Sequence, residues 1–126
     1  MSNPAAPRPI VRSADAVERR SVAAGTATET QVLLGSQEGM PNFFLRRFVM
    51  GPGGGMPRHT NTVEHEQYVL RGRARIRIGD ETHEVGPGTV LYIPAGAPHS
   101  YTVIDAPFEF LCMVPNAPDR IEIVDR

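Results

Sequence analysis

Residues 53–65 read GGGMPRHTNTVEH and carry two of the chain's four histidines, His59 and His65. His59 and Asn61 are two positions apart, and glycine and proline precede them. Because alternate residues of a β-strand point to the same face, this spacing predicts that His59 and Asn61 enter one space. Imidazole nitrogens bind divalent transition metals, and an amide oxygen can add a neutral ligand. The stretch therefore predicts a strand that presents metal ligands.

A second stretch, GTVLYIPAGAPH at residues 88–99, ends on another histidine, His99. It is rich in glycine and proline, and short β-rich segments separated by such turns are typical of a barrel or sandwich. In a barrel, distant segments meet on one wall, so we expect His59, His65 and His99 to converge. The remaining histidine, His83, is predicted to be a surface or core residue with no ligand role.

The two stretches together resemble the paired motifs of the cupin superfamily. The first motif, G-x5-H-x-H-x3-E-x6-G, is matched in spacing at Gly53, His59, Asn61, His65 and Gly72, and the second, G-x5-P-x-G-x2-H-x3-N, at Gly88, Pro94, Gly96, His99 and Val103. Asn61, His65 and Val103 depart from the family's residue types. The resemblance implies an all-β fold, the cupin double-stranded β-helix or jelly-roll barrel, similar to small single-domain bacterial cupins that bind metal with four histidines.

The same resemblance implies a cofactor, one divalent transition metal ion (Mn, Fe, Ni or Zn). Its ligands would be His59, Asn61, His65 and His99. Whether Asn61 binds the metal directly or lies in an outer shell stays open. A cupin barrel that has lost its metal is the alternative to a metal site.

Same-face spacing predicts further residues of the cavity. Gln67 follows His65 by two positions, and we expect it to hydrogen-bond a substrate. Tyr101 follows His99 by two positions, and we expect a hydrogen-bond donor or weak acid there. The apolar wall typical of a small-ligand pocket is predicted to comprise Phe48, Met56, Phe110 and Cys112. For Cys112, a buried apolar role away from the cavity is the alternative.

Arg46 is the third predicted catalytic residue, beside Tyr101 and Gln67. It alternates with Phe44 and Phe48, which places its charge on an otherwise apolar face. Inside a barrel an arginine is tolerated mainly where a polar or anionic group meets it. A register shifted by one residue, with Arg47 inward, is the alternative. A metal on neutral ligands keeps its full charge, so the site is expected to favour carboxylates or enolates.

Strands are predicted at residues 42–50, 65–71, 73–78, 82–85, 89–93, 99–104, 108–114 and 120–124, with a turn at 51–55. Residues 1–30 are expected to form a tail and edge-strand segment, and residues 31–126 a single barrel domain. Both faces of residues 110–114 are apolar, which predicts a homodimer that buries the outer face; a sheet packed within the monomer is the alternative.

Composition narrows the class of function. The chain has 126 residues and one cysteine, and its 13 basic residues nearly balance 14 acidic ones. This balance argues against a nucleic-acid partner, and no apolar run is long enough to span a membrane. With no signal peptide, we expect a cytoplasmic protein with a small-molecule ligand. The predicted function is a metal-dependent enzyme, oxygenase-type or lyase/isomerase-type, on a small, anionic organic molecule. A non-catalytic module that binds a small metabolite is the alternative.

Overall fold

The computed structural model describes residues 8–124, which are mainly β-structure. The strands are β1 (Arg20–Ser21), β2 (Thr26–Leu34), β3 (Phe43–Asn61), β4 (His65–Ile78), β5 (Glu81–Val85), β6 (Val90–Ile93), β7 (His99–Pro115) and β8 (Ile121–Ile123). Two short 3-10 helices, Ala14–Ala16 and Ser36–Glu38, lie before β1 and between β2 and β3. The all-β class predicted from the sequence is confirmed. Within residues 8–124, no helix has the length and apolar character needed to cross a membrane.

The strands pair antiparallel in the order β1-β2-β3-β7-β4-β5, with β6 on β4 and β8 on β3. Strands β3 and β7 pair along two stretches: residues 43–50 lie opposite 108–115, and residues 55–59 lie opposite 99–102. The register shifts between these stretches, and such irregularities let a strand bend. On its other edge β7 pairs with β4. The long strands thereby curve the sheet around a central cavity.

Three predicted breaks prove to lie inside long strands. The turn at residues 51–55 lies within β3, the strand end at Gly72 within β4, and the gap after residue 104 within β7. A side chain at Gly55 would collide with the carbonyl of Tyr101, and one at Gly72 with the carbonyl of Pro107. These glycines allow a neighbouring backbone to approach closely, so they mark irregular pairing within strands and do not end them.

The core lies on the inner face of the curved sheet. On β4, Ala74 and Ile76 are fully buried while Arg73 and Arg75 are exposed, as the alternation predicted. Both arginines pair with Glu84 on β5, at 2.8 and 3.3 Å, and exposed pairs of this kind contribute about 0–1 kcal/mol each. Apolar burial therefore dominates, from residues that include Met50, Val69, Ala74, Ile76, Phe108 and Phe110.

The N-terminal segment packs on the barrel through β1 and β2. Gln31 on β2 is buried, and its Nε2 donates to the carbonyls of Ala14 and Val17, each at 2.8 Å. Strand β2 runs across residue 30, where the sequence suggested that the barrel begins. Residues 1–7 of the expected tail lie outside the described residues. The division of the chain at residue 30 stays a prediction.

Candidate metal and ligand site

A cavity of about 350 Å³ opens inside the barrel. The predicted site residues that line it are Arg46, Phe48, Met56, His59, Asn61, His65, Gln67, His99, Tyr101 and Phe110. Cys112 lies behind this lining, fully buried and in contact with His65, Gln67 and Arg46. The structure thus brings the predicted ligands, catalytic residues and apolar wall to one place.

Three strands supply the histidines of the cavity. His59 lies near the end of β3 directly opposite His99, the first residue of β7, and His65 is the first residue of β4. The ring centres of His59 and His99 are 4.2 Å apart, and those of His65 and His99 are 5.6 Å apart. Metal–nitrogen bonds of about 2.0–2.1 Å put two imidazoles of one ion at ring-centre distances of roughly 4.5–5.5 Å. The observed spacing lies close to that range.

Backbone carbonyls fix the tautomer of two histidines. Nδ1 of His59 lies 2.8 Å from the carbonyl of Pro57, and Nδ1 of His99 lies 2.9 Å from that of Ala97. A carbonyl only accepts, so each Nδ1 carries the proton and donates, which leaves the lone pair on Nε2. Nε2 of His65 and of His99 is buried with no hydrogen-bond partner among the described residues.

The three imidazoles are held in their neutral form. Burial lowers the pKa of His65 to about 3, with further lowering by the charge of Arg46, and burial also lowers the pKa of His99 to about 4. The pKa of His59 is likewise lowered by burial. Neutral imidazole is the form that binds metal ions, because a proton and a metal compete for the same nitrogen.

Asn61 presents its amide oxygen without a partner. Its Nδ2 donates to the carboxylate of Asp119 at 2.9 Å, while its Oδ1 is buried with no hydrogen bond among the described residues. The side chain is 5% exposed and lines the cavity, on the same side of β3 as His59. Predicted from the sequence, this shared orientation is found in the structure.

Among residues 8–124, no group of three or more His, Cys, Asp or Glu side chains is arranged as a ready metal-binding site. The donors at this site are three imidazoles and one amide, and His59, His65 and His99 do not by themselves meet that arrangement. The partnerless Nε2 atoms of His65 and His99 and the partnerless Oδ1 of Asn61 all belong to residues that line the same cavity. Buried polar atoms are costly when unpaired, so these atoms fit a metal ion or a ligand that supplies their partner.

Of the two candidate arginines, it is Arg46 that lines the cavity. Arg47 points the other way, where it pairs with Glu109 and contacts Asp15. The guanidinium of Arg46 lies over the ring of Phe48, 5.1 Å from its centre. Within residues 8–124 no carboxylate forms an ion pair with Arg46, and its buried Nε has no partner.

Tyr101 and Gln67 form a hydrogen-bonded pair in the wall of the same cavity. Nε2 of Gln67 donates to the hydroxyl of Tyr101 at 2.7 Å, while Oε1 of Gln67 is buried without a partner. Burial raises the pKa of Tyr101, as does the nearby Cys112 thiol. The phenol therefore stays protonated at neutral pH, and because its oxygen already accepts from Gln67, its own proton is available to a ligand.

Aromatic rings form the apolar side of the cavity. Phe110 stacks on Phe48 with ring centres 5.1 Å apart and on Tyr101 with ring centres 5.4 Å apart, both nearly parallel. Met56 lines the same space. Such a wall favours a ligand with an apolar or planar body beside its polar groups.

The remaining histidine and the motif's flanking acids lie elsewhere. His83 is an exposed residue of β5, 3.1 Å from Glu81, as expected of a surface position. Glu64 and Glu66 line a different, outward-facing depression beside Phe43. A hydrogen bond that protonated Glu66 donates to Glu64 raises the pKa of Glu66 to about 7, with a smaller effect of burial.

Sequence reasoning missed Asp119, which contacts Asn61, and the β1 residues Arg20 and Ser21, which line the cavity. Asp119 follows a proline-containing break, and nothing in its local pattern links it to Asn61, 58 positions away. Arg20 and Ser21 belong to a polar segment with weak strand character. Only the pairing of β1 on β2 brings them to the cavity.

The family described as "Cupin domain" matches residues 46–114. This is more than half of the chain, which therefore belongs to the cupin family. The β-barrel fold predicted from the motif resemblance is confirmed.

Several proteins share the fold along nearly the whole chain. The polyketide cyclase RemF from Streptomyces resistomycificus matches with a TM-score of 0.83 at 28% identity, covering 94% of this chain and 89% of that chain. A cupin-2 domain protein from Rhodospirillum rubrum matches with a TM-score of 0.81 at 24% identity, covering 98% and 86%, a likeness of fold alone. An uncharacterized protein of Streptomyces coelicolor is 47% identical over 34 residues, which are 27% of this chain and 32% of that protein. The match thus spans about a third of that curated relative.

Proposed function

We propose that this cupin is a metal-dependent enzyme that acts on a small anionic organic molecule with a planar apolar body. The observation that carries the proposal is the meeting, in one cavity, of three neutral imidazoles with an arginine that has no carboxylate partner among residues 8–124. The imidazoles are the part suited to a metal ion. The arginine is the part suited to an anion.

The charge of the cavity supports an anionic ligand. None of the described residues that line it is Asp or Glu, whereas Arg46 and Arg20 both line it. A guanidinium is costly to bury without a polar or anionic partner. Arg46 would bind a carboxylate or enolate oxygen of the substrate through the nitrogens not engaged with Cys112.

The metal would be held by Nε2 of His59, His65 and His99, with Oδ1 of Asn61 as a neutral fourth donor. When bound to this uncharged set, a divalent ion keeps its full positive charge and supplies Lewis acidity toward substrate oxygen atoms. Mn, Fe, Ni and Zn all suit imidazole ligands, so the donor set admits each of them.

The other side chains would orient the substrate. Tyr101 would donate its phenolic proton in a hydrogen bond to a substrate carbonyl, since its raised pKa keeps it protonated. Gln67 would accept from a substrate hydroxyl through its partnerless Oε1. Phe48 and Phe110 would pack on the substrate's apolar body and exclude water from the reacting groups.

Of the two predicted reaction types, the lyase/isomerase type is favoured over the oxygenase type. RemF is a polyketide cyclase, and the present chain covers 89% of it. Cyclisation of a polycarbonyl compound passes through anionic oxygen, which the combination of Arg46 and a Lewis-acidic ion would stabilise. An oxygenase would instead require a redox-active metal.

A non-catalytic module that binds a small metabolite is the second candidate. It is favoured by the lack, among residues 8–124, of a ready metal-binding group of His, Cys, Asp and Glu. In that case Arg46 and Tyr101 would still bind an anionic ligand, with the histidine Nε2 atoms as acceptors for its hydroxyl groups.

The proposal is tested by loading the protein separately with Mn, Fe, Ni or Zn and screening small carboxylates and diketones by thermal shift. Ligands that raise the melting temperature are then assayed for product formation and for oxygen uptake. The proposal predicts metal-dependent turnover of an anionic ligand. Binding that needs no metal, without turnover by any loaded form, would favour the second candidate. Arg75→Gln, which removes an exposed arginine, is the matched control for Arg46→Gln.

The proposal includes a homodimer. Of the residues 110–114, Phe110, Cys112 and Val114 are buried, whereas Leu111 and Met113 are only partly buried. Leu111 lies opposite Tyr68 on β4, which in turn lies opposite Val90 on β6, and Tyr68 and Val90 are 45% and 71% exposed. This row forms an apolar outer face, for which a second copy of the chain is the proposed cover.

A cytoplasmic location also stays a prediction.

A further inference from the structure

One carboxylate, that of Asp119, holds the side chain of Asn61 by a hydrogen bond. Oδ2 of Asp119 accepts from Nδ2 of Asn61 at 2.9 Å, and Oδ1 of Asp119 accepts from the backbone N–H of Thr62, also at 2.9 Å. The hydroxyl of Thr62 adds a bond to the same Oδ1 at 3.2 Å. Asp119 thus uses its two oxygens for two neighbouring residues of the strand end.

This contact decides which atom of the amide faces the cavity. The two ends of an asparagine amide have nearly the same shape, so hydrogen bonding determines its orientation. An ionised carboxylate only accepts, and therefore selects the NH2 end of Asn61. Both oxygens of Asp119 act as acceptors here, because Oδ1 also accepts from the backbone N–H and the hydroxyl of Thr62.

The backbone of Asn61 is fixed as well. Its carbonyl accepts from the N–H of Gly96 at 2.8 Å, and residue 61 pairs with Ile121 on β8, two positions after Asp119. Strand β8 therefore sets the distance between the carboxylate and the amide. With backbone and NH2 group both held, Oδ1 of Asn61 stays buried and without a partner.

We propose that Asp119 is a positioning residue that turns the oxygen of Asn61 toward the imidazoles of His59, His65 and His99 and so completes a neutral four-donor metal site. The inference rests on the proposed metal function and assigns a role to a residue outside both cupin motifs. It also accounts for asparagine at this position. An amide becomes a dependable oxygen donor when a carboxylate holds its other end.

The variant Asp119→Asn tests the selection of the amide end. An asparagine at 119 can keep its oxygen on the N–H of Thr62, and its NH2 group then faces Asn61. Two NH2 groups repel, so Asn61 turns its oxygen away from the cavity. We expect Co²⁺ affinity, measured by competition with a chromophoric chelator, to fall about 10- to 100-fold, the usual effect of losing an outer-shell partner.

A double-mutant cycle separates positioning from charge. If Asp119 acts through Asn61, Asp119→Asn lowers Co²⁺ affinity in the wild type but hardly changes it in Asn61→Ala. Equal losses in both backgrounds would mean that the carboxylate acts only by its charge, and would overturn the inference. Asp105→Asn, which neutralises an exposed carboxylate on β7, is the matched control and should leave the affinity unchanged.

A second readout needs no metal. The side-chain amide NMR signals of Asn61, identified by their loss in Asn61→Ala, should shift in metal-free Asp119→Asn and stay in place in Asp105→Asn. Unmoved signals in Asp119→Asn would overturn the inference. A wild type that binds Co²⁺ no more tightly than Asp119→Asn contradicts the inference alone. A wild type that takes up no Co²⁺ contradicts the proposed function together with it.

Discussion

Arg46 on β3 and Cys112 on β7 are cross-strand partners, and the guanidinium donates to the thiol sulfur at 3.3 Å. A thiol is a weak acceptor, so this contact leaves most of the guanidinium's hydrogen-bonding capacity unused. The pairing places Arg46 in the cavity while keeping it available to a ligand.

Arg46→Gln should therefore weaken the binding of anionic ligands far more than that of neutral ones. Loss of a charge-assisted hydrogen bond of about 1.5–3 kcal/mol corresponds to roughly a 10- to 150-fold rise in Kd for a carboxylate. Isothermal titration of matched acid and amide ligands measures the difference. Arg46→Lys should recover part of the affinity because it keeps the charge, and Arg75→Gln should have no effect. Equal weakening of acid and amide would contradict an anion-binding role.

Tyr101→Phe should impair ligand binding with little change in the apolar packing. The phenylalanine keeps the stacking on Phe110 but leaves Nε2 of Gln67 without its 2.7 Å partner. An unsatisfied buried donor costs about 1–3 kcal/mol, so the free energy of unfolding should fall by that amount in denaturant titrations. The variant Tyr101→Phe/Gln67→Leu, which removes both partners, should regain much of the stability but not the ligand affinity. Full ligand affinity in Tyr101→Phe would show that the phenol does not contact the ligand.

Metal-free protein should lose stability as the pH is lowered from about 6.5. Burial lowers the pKa of His65 to about 3 and that of His99 to about 4, from 6.5 in the unfolded chain. The unfolded state therefore binds more protons than the folded state between these values, and the free energy of unfolding falls with falling pH. Denaturant titrations of chelator-treated protein between pH 4 and pH 8 measure the slope.

The variant His65→Gln/His99→Gln should flatten that slope, and an unchanged slope would contradict the neutral buried imidazoles. Glu66 acts in the opposite direction, because the hydrogen bond that its protonated form donates to Glu64 raises its pKa from 4.5 to about 7. The contribution of Glu66 to the pH dependence of stability is screened by solvent on the outer face. Measuring the pH dependence in a Glu66→Gln background removes this contribution.

The outer face of the sheet should hold the dimer together. Light scattering is expected to give about twice the chain mass of 13.8 kDa at micromolar concentration. Tyr68→Arg and Leu111→Arg each place a charge in the apolar row and should yield monomers that remain folded. Thr82→Arg on the exposed strand β5 is the control, expected to stay dimeric. A wild-type mass near 13.8 kDa would rule out the dimer.

Much of the barrel was predictable because the patterns that determine its strands lie within short stretches of sequence. The alternation of Ala74 and Ile76 with arginines fixes the faces of β4, and the spacing of His59 and Asn61 gives their common side. Strand continuity was harder to predict. Gly55 and Gly72 look like strand ends in sequence, yet they serve close contacts with Tyr101 and Pro107, which are remote in the chain.

Most of the site was predictable, because its residues lie in the two motifs or alternate along the neighbouring strands. The spacing left Arg46 and Arg47 as alternatives, and only the pairing with β7 places Arg46 inward. The contact from Asp119 depends on how β8 returns to pair with the end of β3. A single sequence carries no local pattern for such a long-range contact.

The function proposed for this site requires a metal ion held by His59, His65 and His99. Elemental analysis of metal-replete protein after exhaustive dialysis measures it directly, beside the variant His59→Ala/His65→Ala/His99→Ala prepared in the same way. We expect about one divalent transition metal ion per wild-type chain and almost none in the variant. Equal metal content in the two proteins, whether one ion per chain or none, would contradict it.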